Sequence, residues 1–176
     1  IHTVTVDMER TAIKDYLEHI ASGKAPKYIY IKDDLSHIFE INEALQHNGI
    51  ICLTGDRYFE GNKHLSATLL GQPARFPAGP FLIASRLGVP VIFVYVMKES
   101  NLHYHLYARV AQTPHRDAQG LLNAFTQSME QMLQRYPLQW FNYFDFWEEL
   151  EMKNEKWRAK NEELVARHMK GTSYKL

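Results

Sequence analysis

Apolar and polar positions follow one another in blocks, and the period changes from block to block. Residues 1–6 alternate with period two and are rich in Val and Thr, which predicts a strand. Met8, Ala12, Ile13, Tyr16, Leu17 and Ile20 then recur at helical spacing, with Asp7 placed to cap that helix and Gly23 to end it. Pro26 breaks the chain before a short predicted strand at 27–31, and Lys32-Asp33-Asp34 stands at its carboxyl end. A second amphipathic helix carries Leu35, Ile38, Phe39, Ile41 and Leu45 and closes at Asn48-Gly49.

The stretch 49–97 organises the rest. Residues 50–54 read as a buried central strand that turns at Gly55 and delivers Asp56-Arg57 to its carboxyl end. Residues 65–70 and 74–76, joined around Gly71-Gln72-Pro73, predict a hairpin. Residues 78–87 predict a short helix, with Pro80 in its first turn, where proline is tolerated, and Gly88 ending it. Residues 91–97 read as a strand buried on both faces, and 102–110 as a further strand. A longer helix after Thr113-Pro114 turns Leu121, Leu122, Phe125, Met129, Met132, Leu133 and Tyr136 inward. Residues 136–147 are dense in aromatics; the remainder is charged and predicted helical, with Leu150, Trp157 and Leu164 at seven-residue intervals. Strands alternating with helices give an α/β domain with a largely parallel or mixed central sheet flanked by helices. The expected organisation is one domain over 1–147 and a tail over 148–176.

Composition narrows the classes. A chain of 176 residues has material for one domain with a real core. Lys and Arg number 20 and Asp and Glu 20, so no global field argues for nucleic acid as a partner. The single cysteine, Cys52, excludes an internal disulfide and suits a reducing compartment. The longest apolar run, 89–96, is too short to cross a bilayer, and no signal peptide is visible. The chain has no initiator Met and opens inside a predicted strand, which leads us to expect a fragment.

Candidate chemistry gathers at strand ends, because ligands of open α/β sheets sit beyond the carboxyl ends of the strands. Asp56-Arg57 is the sharpest feature: the planar Arg fork matches a phosphate or carboxylate, and the acid can orient it or hold a hydroxyl. The plain alternative is a local ion pair fixing a turn. Lys32-Asp33-Asp34 is a second candidate, against a reading in which Asp34 simply caps the next helix. Arg75 precedes Phe76-Pro-Ala-Gly-Pro80, where a helix start can meet an anion; the alternative is a proline-stiffened corner. His2 and Asp7 spell a His-x4-Asp pair, but in a strand positions five apart face opposite ways, so a strand histidine and a cap are expected instead. His103 and His105 share a strand face without a third metal ligand, and no metal site is expected. Trp140 to Trp147 reads either as core or as a lipid-facing surface, and the mildly basic tail as a partner-packed helix or a contact with anionic lipid. Walker, Gly-x-Gly-x-x-Gly and Gly-x-Ser-x-Gly patterns are missing, so no nucleotide cofactor is expected.

The order Gly49-Ile-Ile-Cys-Leu-Thr-Gly-Asp-Arg57, Leu70-Gly71, Phe76-Pro-Ala-Gly-Pro80 with Ala84 and Gly88-Val-Pro90, and Tyr136-Pro-Leu-Gln-Trp140 resembles the bacterial lipid A biosynthesis acyltransferases, within the lysophospholipid acyltransferase superfamily. The resemblance covers roughly residues 15–147. It implies the C-terminal portion of a glycerolipid acyltransferase-like fold and an O-acyl transfer from acyl carrier protein or acyl-CoA to a lipid hydroxyl. It also implies action at the cytoplasmic face of the bacterial inner membrane. A His-x4-Asp/Glu dyad supplies the base in that family. Its register puts the dyad upstream of Ile1, so the chain alone is expected to be inactive. The resemblance assigns Asp56 and Arg57 to the acceptor, with Lys32 and Arg75 as weaker contacts. Asn142-Tyr-Phe-Asp145 replaces the basic run of better-known members, which leaves the acceptor open. A non-catalytic lipid- or partner-binding module on the same scaffold, or an unrelated phosphate-ligand enzyme, would fit the residues as alternatives.

Overall fold

Three parallel strands open the chain. The computed structural model describes residues 1–5, 27–32, 34–58, 63–142 and 147. It divides into two compact units, Ile1–Asp56 and Arg57–Leu176. Among the described residues, no helix is long and apolar enough to cross a membrane.

In the first unit β1 (His2–Thr5) lies between β2 (Lys27–Tyr30) and β3 (Ile51–Cys52), parallel to both. The strand expected at the centre is therefore an edge strand, and it is short. It meets β1 at His2↔Ile51 and Thr3↔Cys52, and no ladder among the described residues continues beyond Cys52. Ile50 and Cys52 are exposed. Helix α1 (Ser36–Gln46) buries His37, Ile41 and Ala44, a face rotated from the expected one. Leu35 precedes the helix in a left-handed conformation and Phe39 is 75% exposed. At the other end Asn48 takes the left-handed conformation with φ 56. Gly49 answers a different need: its N–H donates to the Ala44 carbonyl at 2.8 Å, and a Cβ there would lie 2.5 Å from that oxygen.

In the second unit β4 (His64–Leu69) and β5 (Gln72–Pro77) form an antiparallel hairpin. Its turn is Leu70-Gly71, earlier than the spacing predicted, and both residues have positive φ, 52 and 79. A two-residue hairpin loop demands such a pair because its twist then matches that of the strands. Helix α2 (Ala78–Leu87) has its predicted bounds and ends at left-handed Gly88. Strands β6 (Ile92–Lys98) and β7 (Tyr104–Val110) pair antiparallel. Helix α3 (Ala118–Arg135) starts at Asp117, whose carboxylate accepts the Gly120 N–H at 2.7 Å.

The core of this unit joins Leu69, Ala74, Phe76, Phe81, Phe93, Leu121, Leu122, Met129 and Leu133. The Phe125 ring sits among Phe76, Phe81 and Phe93, with centroids 6.2, 5.5 and 5.4 Å away. Only one face of β6 enters this core. Ile92, Val94 and Val96 point away from it and stay exposed, so a strand expected to be buried twice is buried once. Trp147 bridges to Ala74, donates its indole N–H to the Leu69 carbonyl at 3.0 Å and meets Trp140 edge-on. Both indoles pack against the core. Parallel and antiparallel pairs together with three helices make the α/β class plain. The helix predicted over 8–20 and the tail over 148–176 lie outside the described residues.

Candidate functional site

The strands of the first unit are parallel, so their carboxyl ends share one edge of the sheet. Lys32 follows β2 and Asp56 follows β3, which brings both to that edge, on either side of β1. Lys32 Nζ lies 3.5 Å from Glu40 Oε1, with both side chains about half exposed at 53% and 44%. Such a surface pair contributes roughly 0–1 kcal/mol, so Lys32 can turn to another anion at little cost. The Lys32 N–H donates to His37 Nδ1 at 3.3 Å. Asp34 Oδ1 accepts the Ser36 N–H at 3.0 Å, and this bond holds its carboxyl below the ordinary 3.8. Asp34 thus holds the N–H of the first helical residue, while the N-cap position itself falls on Leu35. Asp33 lies outside the described residues.

Arg57 opens the second unit. It is exposed and takes part in no ion pair among the described residues. Beside it Tyr58 meets His64 edge-on at 5.5 Å. His64 stands opposite Pro77 in the hairpin, and the Lys63 carbonyl accepts the Ala78 N–H at 3.0 Å. Tyr58, Lys63 and His64 therefore gather at the start of α2. The N-cap residue, Pro77, makes no side-chain cap bond, and a Cβ added to Gly79 would meet nothing within 4 Å. A helix start with open space beside a lysine can receive an anion. Arg75 is half-buried opposite Ser66, on the face of β5 away from buried Ala74 and Phe76. Lys63 and His64 escaped the sequence reading because they fall in a polar loop. The one available signal was the period-two run His64-Leu-Ser-Ala-Thr-Leu69, which extends to the histidine.

The other described histidines serve packing or stand at the surface. His2 lies at the amino end of β1, on the sheet edge opposite Lys32 and Asp56, with Nδ1 buried. Nδ1 would lie 3.2 Å from a Cβ at Gly49. Asp7, the acid of the His-x4-Asp spacing, lies outside the described residues. His105 stacks on Tyr107 at 4.3 Å. Among the described residues no group of His, Cys, Asp and Glu could hold a metal ion.

The segment Tyr136-Pro-Leu-Gln-Trp140 acts on the end of β6. Gln139 Oε1 accepts the Lys98 N–H at 2.7 Å and Gln139 Nε2 donates to the Lys98 carbonyl at 2.8 Å. The Tyr136 hydroxyl donates to the Glu99 carboxylate and lies 2.7 Å from the Tyr107 hydroxyl. The Glu99 bond, then the Tyr107 bond, push Tyr136 ionisation well above its ordinary 10.0.

A family model described as bacterial lipid A biosynthesis acyltransferase matches residues 23–147. That span includes Lys32, Asp56-Arg57, Arg75, the start of α2 and the Gln139 clamp. No curated protein matches the chain closely enough to compare.

Proposed function

The chain belongs to the bacterial lipid A biosynthesis acyltransferase family, and from that premise we propose that the protein moves a fatty acyl chain to a hydroxyl of a membrane lipid such as a lipid A precursor. The donor is an acyl thioester on acyl carrier protein or coenzyme A, used as co-substrate, and the work is done at the cytoplasmic face of the inner membrane. A histidine oriented by a carboxylate takes the hydroxyl proton as the oxygen attacks the thioester carbonyl. The C–S bond breaks, the ester forms and the proton passes to the leaving thiolate. We assign this base to none of the described histidines, because none is paired with a carboxylate among the described residues.

In this proposal Arg57 and Asp56 hold the acceptor head group, with Lys32 and Arg75 as further contacts to phosphate or carboxylate. The observation that carries it is the family match, which spans every one of these residues. Exposed Arg57, with no ion pair among the described residues, offers a fork that suits an anion. The test is Arg57→Ala in the full-length protein. Transfer should fall by roughly ten-fold or more, the usual scale for a lost charged contact to substrate, while the thermal melt stays put. Unchanged transfer would remove Arg57 from the site.

A further inference from the structure

We propose that His37 is a positioning residue for the acceptor: its imidazole fixes the backbone of Lys32 at the carboxyl edge of the first sheet, and so sets where the lysine ammonium meets the acceptor's phosphate or carboxylate. The inference rests on the reading above in which Lys32 touches that anion, and it adds the group that holds Lys32 in place.

The bonds at the end of β2 single out Lys32. The Ile31 N–H still reaches β1, donating to the Thr5 carbonyl at 2.9 Å. The Lys32 N–H instead donates to His37 Nδ1 at 3.3 Å, on a side chain five residues further along. The Lys32 carbonyl accepts the Leu35 N–H at 3.2 Å, and Leu35 takes the left-handed conformation that leads into α1. Both backbone polar groups of Lys32 are thus held, one by the turn and one by α1. Its ammonium stays half exposed, 3.5 Å from Glu40 Oε1.

His37 is 5% exposed and lies on the face of α1 that also buries Ile41 and Ala44. Packing alone would be served better by leucine, which has no ring nitrogens to strip of water. What the imidazole adds is an acceptor at the δ position, and in the neutral ring this leaves the proton on Nε2. The start of α1 does not need that acceptor, because the Ser36 N–H is held by Asp34 Oδ1 at 3.0 Å. Loss of the imidazole should therefore loosen Lys32 more than it loosens the helix. A backbone freed at the strand end spreads the ammonium over many positions, and a contact weakens when its group must be ordered on binding.

In the full-length protein, transfer to a lipid A precursor is measured against acceptor concentration, and exchange of the Lys32 amide is followed by NMR. His37→Leu should speed exchange of that amide and raise the acceptor KM by about five-fold, with kcat and the donor KM unchanged. His37→Asn, whose Oδ1 can stand where Nδ1 stands, should restore both. In a Lys32→Ala background His37→Leu should add nothing, since the two act through one contact. An unchanged acceptor KM in His37→Leu, an equal rise in His37→Asn, or a rise that persists in full on Lys32→Ala overturns the proposal. If His37→Leu does not fold, His37→Gln, which carries its amide one carbon farther out, is read in its place. Lys32→Ala separates this inference from the reading beneath it. A raised acceptor KM there with none in His37→Leu removes His37 alone. An unchanged KM in Lys32→Ala, or a full-length protein that transfers nothing, removes the acceptor contact and the positioning role together.

Discussion

Gln139→Ala removes both hydrogen bonds that tie the segment after α3 to the end of β6. The carboxamide answers the Lys98 N–H at 2.7 Å and the Lys98 carbonyl at 2.8 Å, as a neighbouring strand would. Both bonds lie at the surface, so water can replace them, and each contributes roughly 1 kcal/mol net rather than the larger cost of a buried orphan. The loss should be about 1–2 kcal/mol, or a fall of roughly 2–8 °C in Tm for a chain of this size. The Lys98 amide should also lose protection from hydrogen exchange. Gln139→Glu sharpens the test. The carboxylate still accepts the N–H but sets a second oxygen against the Lys98 carbonyl, so it should destabilise at least as much as alanine. A stability change within about 0.3 kcal/mol for both variants, with Lys98 exchange unaltered, would refute the clamp.

Two further outcomes follow from packing and charge. Phe76 is fully buried and meets Phe125 at 6.2 Å, so Phe76→Ala should cost about 3–5 kcal/mol in a urea melt; a loss below ~1 kcal/mol would mean that this core is not as described. Asp34 has a folded pKa below 3.8, so its bond to Ser36 stabilises the start of α1 above that pH and is lost as pH falls through the lower folded value. An NMR titration of the Asp34 carboxyl should give a midpoint below 3.8, and a midpoint at or above it would remove the bond.

Local chemistry was legible and long-range pairing was not. The bounds of α2 could be read because Pro80 and Gly88 punctuate it by their own backbone limits. The hairpin was legible, but its turn was misplaced: Pro73 looked like a breaker, and only the register shows it opposite Thr68 inside β5. The runs at 50–54 and 91–97 were read as buried because they are apolar. Burial depends on what lies alongside, and no local pattern reports that β3 is an edge or that α3 covers one side of β6. The strand-end position of Lys32 and Asp56 was readable, since a parallel sheet brings carboxyl ends together. Lys63 and His64 were not, because only tertiary pairing takes a polar loop to the start of α2.

The residues that carry the family likeness divide by what the fold requires of them. Gly49 must lack a Cβ because the Ala44 carbonyl would lie 2.5 Å away. Phe76 fills the core, Gln139 completes the edge of β6, and Trp140 packs on Trp147. Each of these would be kept by a protein that needed only to fold. Arg57 and Gly79 differ. Arg57 is exposed with no ion pair among the described residues, and Gly79 has neither a left-handed backbone nor a neighbour within 4 Å of an added Cβ. An exposed guanidinium and a glycine in open space at a helix start add little to folding. Under the proposed function an anionic ligand would account for both: the guanidinium would bind it, and the missing side chain would let it approach the N–H groups of α2. Arg57→Ala and Gly79→Ala should therefore leave stability nearly unchanged and weaken ligand binding together.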